Sequence, residues 1–148
     1  MPINLIAIAA GLILVPMLDQ GAKLLILRGV GSAPIPLGPF GKVQVVKSRI
    51  WLTHAAPRAN LNALWSAWVF AAAGLALLSG WLPSCGWFAG LLLGGSLSHA
   101  LETSLRGCVI DYVRLRVWPA FNLADAAITV GALGILVQMA ATILEAVR

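Results

Sequence analysis

The chain has 148 residues, of which 60% are hydrophobic and only 10% charged, and its net charge is +5. An ordinary soluble domain carries about 25% charged residues, so this composition excludes that class and leaves length for about four membrane spans with no separate soluble domain. The positive charge suits anionic headgroups; with no long basic run or basic helix, nucleic acid is excluded as a partner.

The first predicted span covers about residues 3–27. An apolar N-terminus raises the question of a secretory signal. No basic n-region precedes it, however, and Asp19 and Lys23 stand where a small-residue cleavage site belongs, so a retained span is expected. Asp19 and Lys23 are spaced i,i+4, which sets them to pair across one helical turn.

Gly and Pro punctuate the start of the following connection, and "KVQVVKSRIWLT" then predicts one or two short strands from its β-branched and aromatic content. His54 reads as a loop residue. The second span covers about 61–82. An uncharged hairpin, "SGWLPSCG", leads to the third at about 86–103. That stretch falls short of the usual length of about 20 strongly apolar residues, so it must tilt, extend past its polar end, or be packed by neighbours. The next connection is basic, and periodicity leaves "VIDYVRLRV" open between extended and helical. The fourth span covers about 121–146. The expectation is one all-α membrane domain over residues 1–148. It has four transmembrane helices and a small strand-containing extramembrane region between helices 1 and 2.

Trp65, Trp68, Trp81, Trp87 and Trp118 fall near span ends, the pattern of an interfacial belt. Cys85 and Cys108 fall on opposite membrane faces and are not expected to pair. The chain's five acids are Asp19, Glu102, Asp111, Asp125 and Glu145. In an up-down bundle the end of span one, the end of span three and the start of span four share one face. All these acids except Glu145 therefore converge there. Carboxylates at such depth are costly and usually functional.

Two motifs carry a likeness. "VIDYV" at Val109–Val113 and "FNLAD" at Phe121–Asp125 resemble the paired V-x-D and F-N-x-A-D signatures of the lipoprotein signal peptidases (signal peptidase II). "GGSLSHALETSLRGCVIDY" resembles the family's G-G-A-x-G-N-x-x-D-R…G…V-x-D segment in matching register, and "LDQGAKLLIL" resembles its D-x-x-x-K motif. The resemblance implies an intramembrane aspartyl endopeptidase. Its substrate would be the signal peptide of a lipid-modified prolipoprotein, cut before the diacylglyceryl-Cys. Asp111 and Asp125 fall on the catalytic aspartates and Asn122 on the supporting Asn. Asp19 and Lys23 fall on the span-one pair, and His99 and Glu102 on polar residues around the site. No cofactor and no metal is implied, and a monomer among membrane lipids is expected.

The likeness has departures. The family's Asn and Asp are replaced by His99 and Glu102, and its Arg by Thr103. Its N-x-G-A-A-F motif has no convincing copy near "LTHAAPRAN", where Thr53 or Asn60 occupies the neighbourhood. An alternative function is therefore a weak or inactive paralogue that binds lipidated peptides or peptidase inhibitors. A metal site built on His99, Glu102 and the aspartates is a further alternative. His99 and Glu102, at i,i+3, are expected to point together toward Asp111 and Asp125. Lys and Arg are concentrated in the connections after spans one and three, which by charge alone places the acid-rich face in the cytoplasm. The resemblance instead implies the outer face of the bacterial inner membrane, with both termini cytoplasmic. The expectation follows the resemblance.

Overall fold

The apolar runs become four helices: α1 (Pro2–Gly29), α2 (Pro57–Trp81), α3 (Gly86–Arg106) and α4 (Leu123–Ala146). They are seen in a computed structural model that describes residues 2–29, 33–48, 57–82 and 85–147, apart from the side chains of residues 2, 3 and 57–60. Segments 4–29, 61–81 and 123–146 are long and apolar enough to cross a membrane. Large apolar side chains such as Ile6, Met17, Phe70, Leu77, Leu136 and Leu144 face outward, as lipid contact requires.

The third helix is the exception in composition and the centre of the packing. It lies between α1 and α4 and also touches α2. Having no hydrophobic drive between them in lipid, helices associate through small residues that let backbones approach. Gly90 and Gly94 do this toward α1: a Cβ on Gly90 would lie 2.7 Å from the Ala7 carbonyl oxygen, and one on Gly94 would overlap Gly11. Toward α4, a Cβ on Gly95 would lie 2.6 Å from the Ala124 oxygen. Ile8, Cys85, Ala89, Leu93 and Ile135 make the apolar core between these helices. So α3 meets its length requirement by running to Arg106 and by being packed. Its 21 residues span about 32 Å at 1.5 Å each, enough for a hydrocarbon core of about 30 Å.

The second helix is peripheral; Ser79 is the one buried residue among its described side chains. Trp65 and Trp68 hold it to α3, donating their indole N–H groups to Ser104 Oγ (3.0 Å) and Ser96 Oγ (3.1 Å). These two tryptophans thus clip helices together, whereas Trp81, Trp87 and Trp118 are exposed as a belt demands.

A three-stranded antiparallel sheet sits at one end of the bundle, in the order β1 (Ile35–Pro36), β2 (Gly41–Ser48), β3 (Val109–Leu115). Two strands come from the connection after α1. The third is "VIDYVRL", so the undecided segment is extended, and the sheet joins both connections on that face. β3 is buried from Val109 to Tyr112 and emerges afterward. Its early half is covered on both sides, which erases the alternation that would have marked it as a strand. β2 carries a bulge: Val43 pairs with Val113, but Val46 pairs with Asp111. Cys85 and Cys108 are free thiols near opposite ends of α3.

Candidate active site

The site is built around the first turn of α4. An α-helix begins with N–H groups that have no partner within it. Here each finds one from a different source. Leu123 N–H donates to the Tyr112 hydroxyl (3.1 Å), Ala124 N–H to Asp19 Oδ1 (3.2 Å), and Asp125 N–H to Asn122 Oδ1 (3.0 Å). Asn122, the N-cap, donates its own N–H to Asp125 Oδ2 (2.9 Å), which closes a reciprocal capping box. The helix start is therefore pinned from α1, from β3 and from within.

The side chain of Asn122 does more than cap. Fully buried, it donates through Nδ2 to the Ile110 carbonyl (3.2 Å) and to Asp111 Oδ1 (2.8 Å). A carbonyl only accepts and a backbone N–H only donates, so these partners fix which end of the amide is which. The result is one asparagine touching both aspartates: its amide on Asp111 and its backbone on Asp125. The chain brings them together by turning back after β3, where Phe121 bridges to Val113 through paired backbone bonds of 3.0 and 2.9 Å.

Asp111 lies beneath the sheet and also accepts from Ser48 Oγ (2.8 Å). Burial pushes its carboxyl above the ordinary carboxylate range, and the nearby Asp125 charge adds to this; the Ser48 and Asn122 hydrogen bonds and His99 oppose it. Asp125 is more open, with its side chain 36% exposed. His99 Nε2 lies 3.3 Å from Asn122 Oδ1 and 3.5 Å from Asp125 Oδ1. Because that amide oxygen only accepts, Nε2 bears the hydrogen. The close approach of α3 and α4 at Gly95, one turn earlier, lets the imidazole reach this far.

A second cluster lies alongside. Lys23 Nζ is fully buried between Asp19 Oδ2 (2.7 Å) and Glu102 Oε2 (2.5 Å), so the expected i,i+4 pair forms. Arg106 closes on Glu102 Oε1 (2.7 Å), and Ser98 Oγ donates to Asp19 Oδ2 (2.6 Å). Glu102 corrects the expectation that it would point with His99 toward Asp111 and Asp125. The i,i+3 spacing leaves the two side chains about 60° apart around the helix, and the buried ammonium and Arg106 draw Glu102 to the α1 side. Thr103, which replaces the family's Arg, has a buried hydroxyl without a hydrogen-bond partner among the described residues. Thr53, His54 and the side chain of Asn60 lie outside the described residues.

Ser48, Ser98 and Tyr112 escaped the sequence reading. Tyr112 had one signal, its place beside Asp111; a hydroxyl in a strand or a glycine-rich helix has none. Among the described residues no His, Cys, Asp and Glu side chains gather in the threes a metal needs.

The spans, the end-on sheet and the polar cluster beneath it define a helical membrane protein with Asp19, Glu102, Asp111 and Asp125 gathered at one end of the bundle. The family model described as signal peptidase (SPase) II matches residues 11–141. This chain belongs to that family. A lipoprotein signal peptidase of Methylobacterium sp. (strain 4-46) is 31% identical over 134 residues, covering 82% of this chain and 81% of that one. One from Xylella fastidiosa (strain M12) is 38% identical over 85 residues, or 48% of this chain and 51% of the relative. One from Halothermothrix orenii is 44% identical over 43 residues, 29% and 30% of the two chains. The chain thus spans about half of the length of the Xylella relative and under a third of that of the Halothermothrix one. A bacterial membrane enzyme solved by the in meso method at 1.9 Å shares the fold, with a TM-score of 0.74 and 17% identity over 89% of this chain and 91% of that one.

Proposed function

We propose that the chain is an intramembrane aspartyl endopeptidase that removes the signal peptide of lipid-modified prolipoproteins before the diacylglyceryl-Cys. The observation that carries this reading is Asn122, which ties the carboxyls of Asp111 and Asp125 to one buried side chain and its backbone. Tied to one residue, the two carboxyls can divide acid and base work on the same bond. Asp111, buried and pushed upward, is the member suited to hold the proton and donate it to the scissile carbonyl oxygen. Asp125, the more open of the two, is suited to take a proton from the attacking water. His99 bonds to the far side of the Asn122 amide and so supports its orientation. Asp19 and Lys23 act at a distance, by fixing the start of α4.

On this reading the sheet end faces the outer side of the bacterial inner membrane, with both termini cytoplasmic and the protein monomeric among membrane lipids. The purified protein should cleave a lipidated prolipoprotein peptide, and an Asp125→Asn variant should not. Failure of the parent to cleave, in a preparation that stays folded, would refute the assignment. A reporter fused after Arg148 should be active on the cytoplasmic side.

One observation favours a second reading. Where the family has an Arg, the buried Thr103 hydroxyl offers no charge to a bound peptide. A paralogue that binds lipidated peptides or inhibitors without cutting them would show saturable binding of the same peptide and no product.

A further inference from the structure

The β2–β3 register puts Lys42 directly opposite Arg114. Like charges in that position repel, and antiparallel pairs normally avoid them. Arg116 is two residues on, so alternation gives it the same face. Its N–H continues the ladder past the strand end by bonding to the Phe40 carbonyl (3.1 Å). Gly41 holds the strands together here, because a Cβ would overlap the Arg114 carbonyl. The three cations border an open hollow of about 320 Å³ together with Gly38, Pro39 and Leu115.

No acid answers them. Asp19 and Glu102 are spent on Lys23 and Arg106, Asp111 and Asp125 lie in the site, and Glu145 is at the far end of α4. Those are all the acids the chain has. Among the described residues, Arg114 has only a long 3.4 Å bond to Gln44 Oε1.

Two further features say what covers the cluster. Residues Val109 to Tyr112 of β3 are buried on both faces, whereas the basic end emerges beyond them. Phe40, between Pro39 and Gly41 of the hollow, and Val117 and Trp118, which follow Arg116, stand exposed at 75%, 92% and 65%. A soluble anion would meet the charge and leave these apolar groups in water. A phospholipid satisfies both, with phosphate between the cations and glycerol and acyl carbons against the ring and indole.

We propose that Lys42, Arg114 and Arg116 form a binding site for the phosphate of an anionic phospholipid, which docks this end of the sheet on the bilayer. The site is distinct from the aspartates and does not depend on the peptidase reading.

The test uses the full chain purified in mild detergent with equimolar phosphatidylglycerol and phosphatidylcholine, with retained lipid counted by native mass spectrometry. The parent is expected to retain phosphatidylglycerol in excess. Arg114→Gln should lower that preference by about fivefold, and replacing all three cations with Gln should abolish it. Arg28→Gln, a cation at the same end but outside the hollow, should leave it unchanged. Lys42→Glu gives an independent arm. It should lose the preference while keeping or raising the Tm in phosphatidylcholine, because an opposed Glu–Arg pair replaces an opposed Lys–Arg pair. An equal drop for Arg28→Gln would mean a diffuse surface effect, and full displacement by millimolar inorganic phosphate would mean a free-anion site. Either outcome, or an unchanged ratio in the triple variant, overturns the proposal.

Discussion

Two polar clusters sit side by side at the same end of this bundle, and they are arranged on opposite principles. In one, Asp19 and Glu102 are answered by Lys23 and Arg106, so every charge has a partner within 2.7 Å. In the other, Asp111 and Asp125 face no Lys or Arg among the described residues, only amides, a hydroxyl and an imidazole. The first is electrically closed and suited to holding structure. The second leaves its carboxyls without an ionic partner among the described residues. Both grip the first turn of α4, the closed cluster through Asp19 and Ala124, the open one through Asn122. On the proposed peptidase reading, the neutralised set holds in place the carboxyls that do the chemistry.

The sharpest way to separate the clusters is to remove one carboxylate from the open one. Asp125→Asn or Asp111→Asn is expected to reduce peptide cleavage by about 10²–10⁴-fold, the span of general acid–base contributions. Stability should move the other way at position 111. Its carboxyl is raised in the folded state, so folding holds that proton more tightly. The stability this lends is complete below the unfolded carboxylate value and is lost as pH rises toward the folded one. Asn does not ionise and can keep the contacts to Ser48 and Asn122. The Tm of Asp111→Asn at neutral pH should therefore equal or exceed the parent's, as differential scanning fluorimetry would report.

The closed cluster should respond in reverse. Lys23→Met leaves two buried acids without their shared cation, and breaking such a pair costs about 3–5 kcal/mol. Thermal unfolding in detergent should show a large drop, with activity lost alongside the fold. A Tm near the parent's would mean that Lys23 does not hold the helices together.

His99 lies at the border of the open cluster. His99→Asn keeps a donor for Asn122 Oδ1 while removing the imidazole beside Asp125. Cleavage should fall by about tenfold or less. His99→Leu, lacking the donor too, should fall further; equal losses in both variants would make His99 a packing residue.

The smallest effect belongs to Ser48→Ala. That hydroxyl's bond opposes the upward push on Asp111, so its removal raises the carboxyl further and the proton persists to higher pH. The alkaline limb of the cleavage profile should move upward. Neutral-pH activity should change only severalfold, in line with about 0.5–1.5 kcal/mol for one hydrogen bond.

The open cluster was largely legible in the chain, and the closed one only in part. Asn122 and Asp125 declare themselves because a capping box is a local pattern at fixed spacing, and Asp19 with Lys23 likewise. Glu102 lacked such a signal toward Lys23, its partner 79 residues away. Periodicity could not identify β3, whose buried half shows no alternation. The central place of α3 was hidden as well, because its glycines lower its hydropathy while letting its neighbours close in.

The bulge in β2 has a consequence for the parity of everything after it. Val43 to Val46 advances three residues while β3 advances two, so Ser48 comes to lie opposite Val109 on the face that bears Asp111. Were the same residues paired regularly from Val43, with no bulge, Val45 would lie opposite Asp111 and Lys47 opposite Val109, turning Ser48 to the reverse side. An ammonium would then stand where a hydroxyl now meets Asp111. The bulge thus decides whether that carboxyl meets a neutral donor or a charged one.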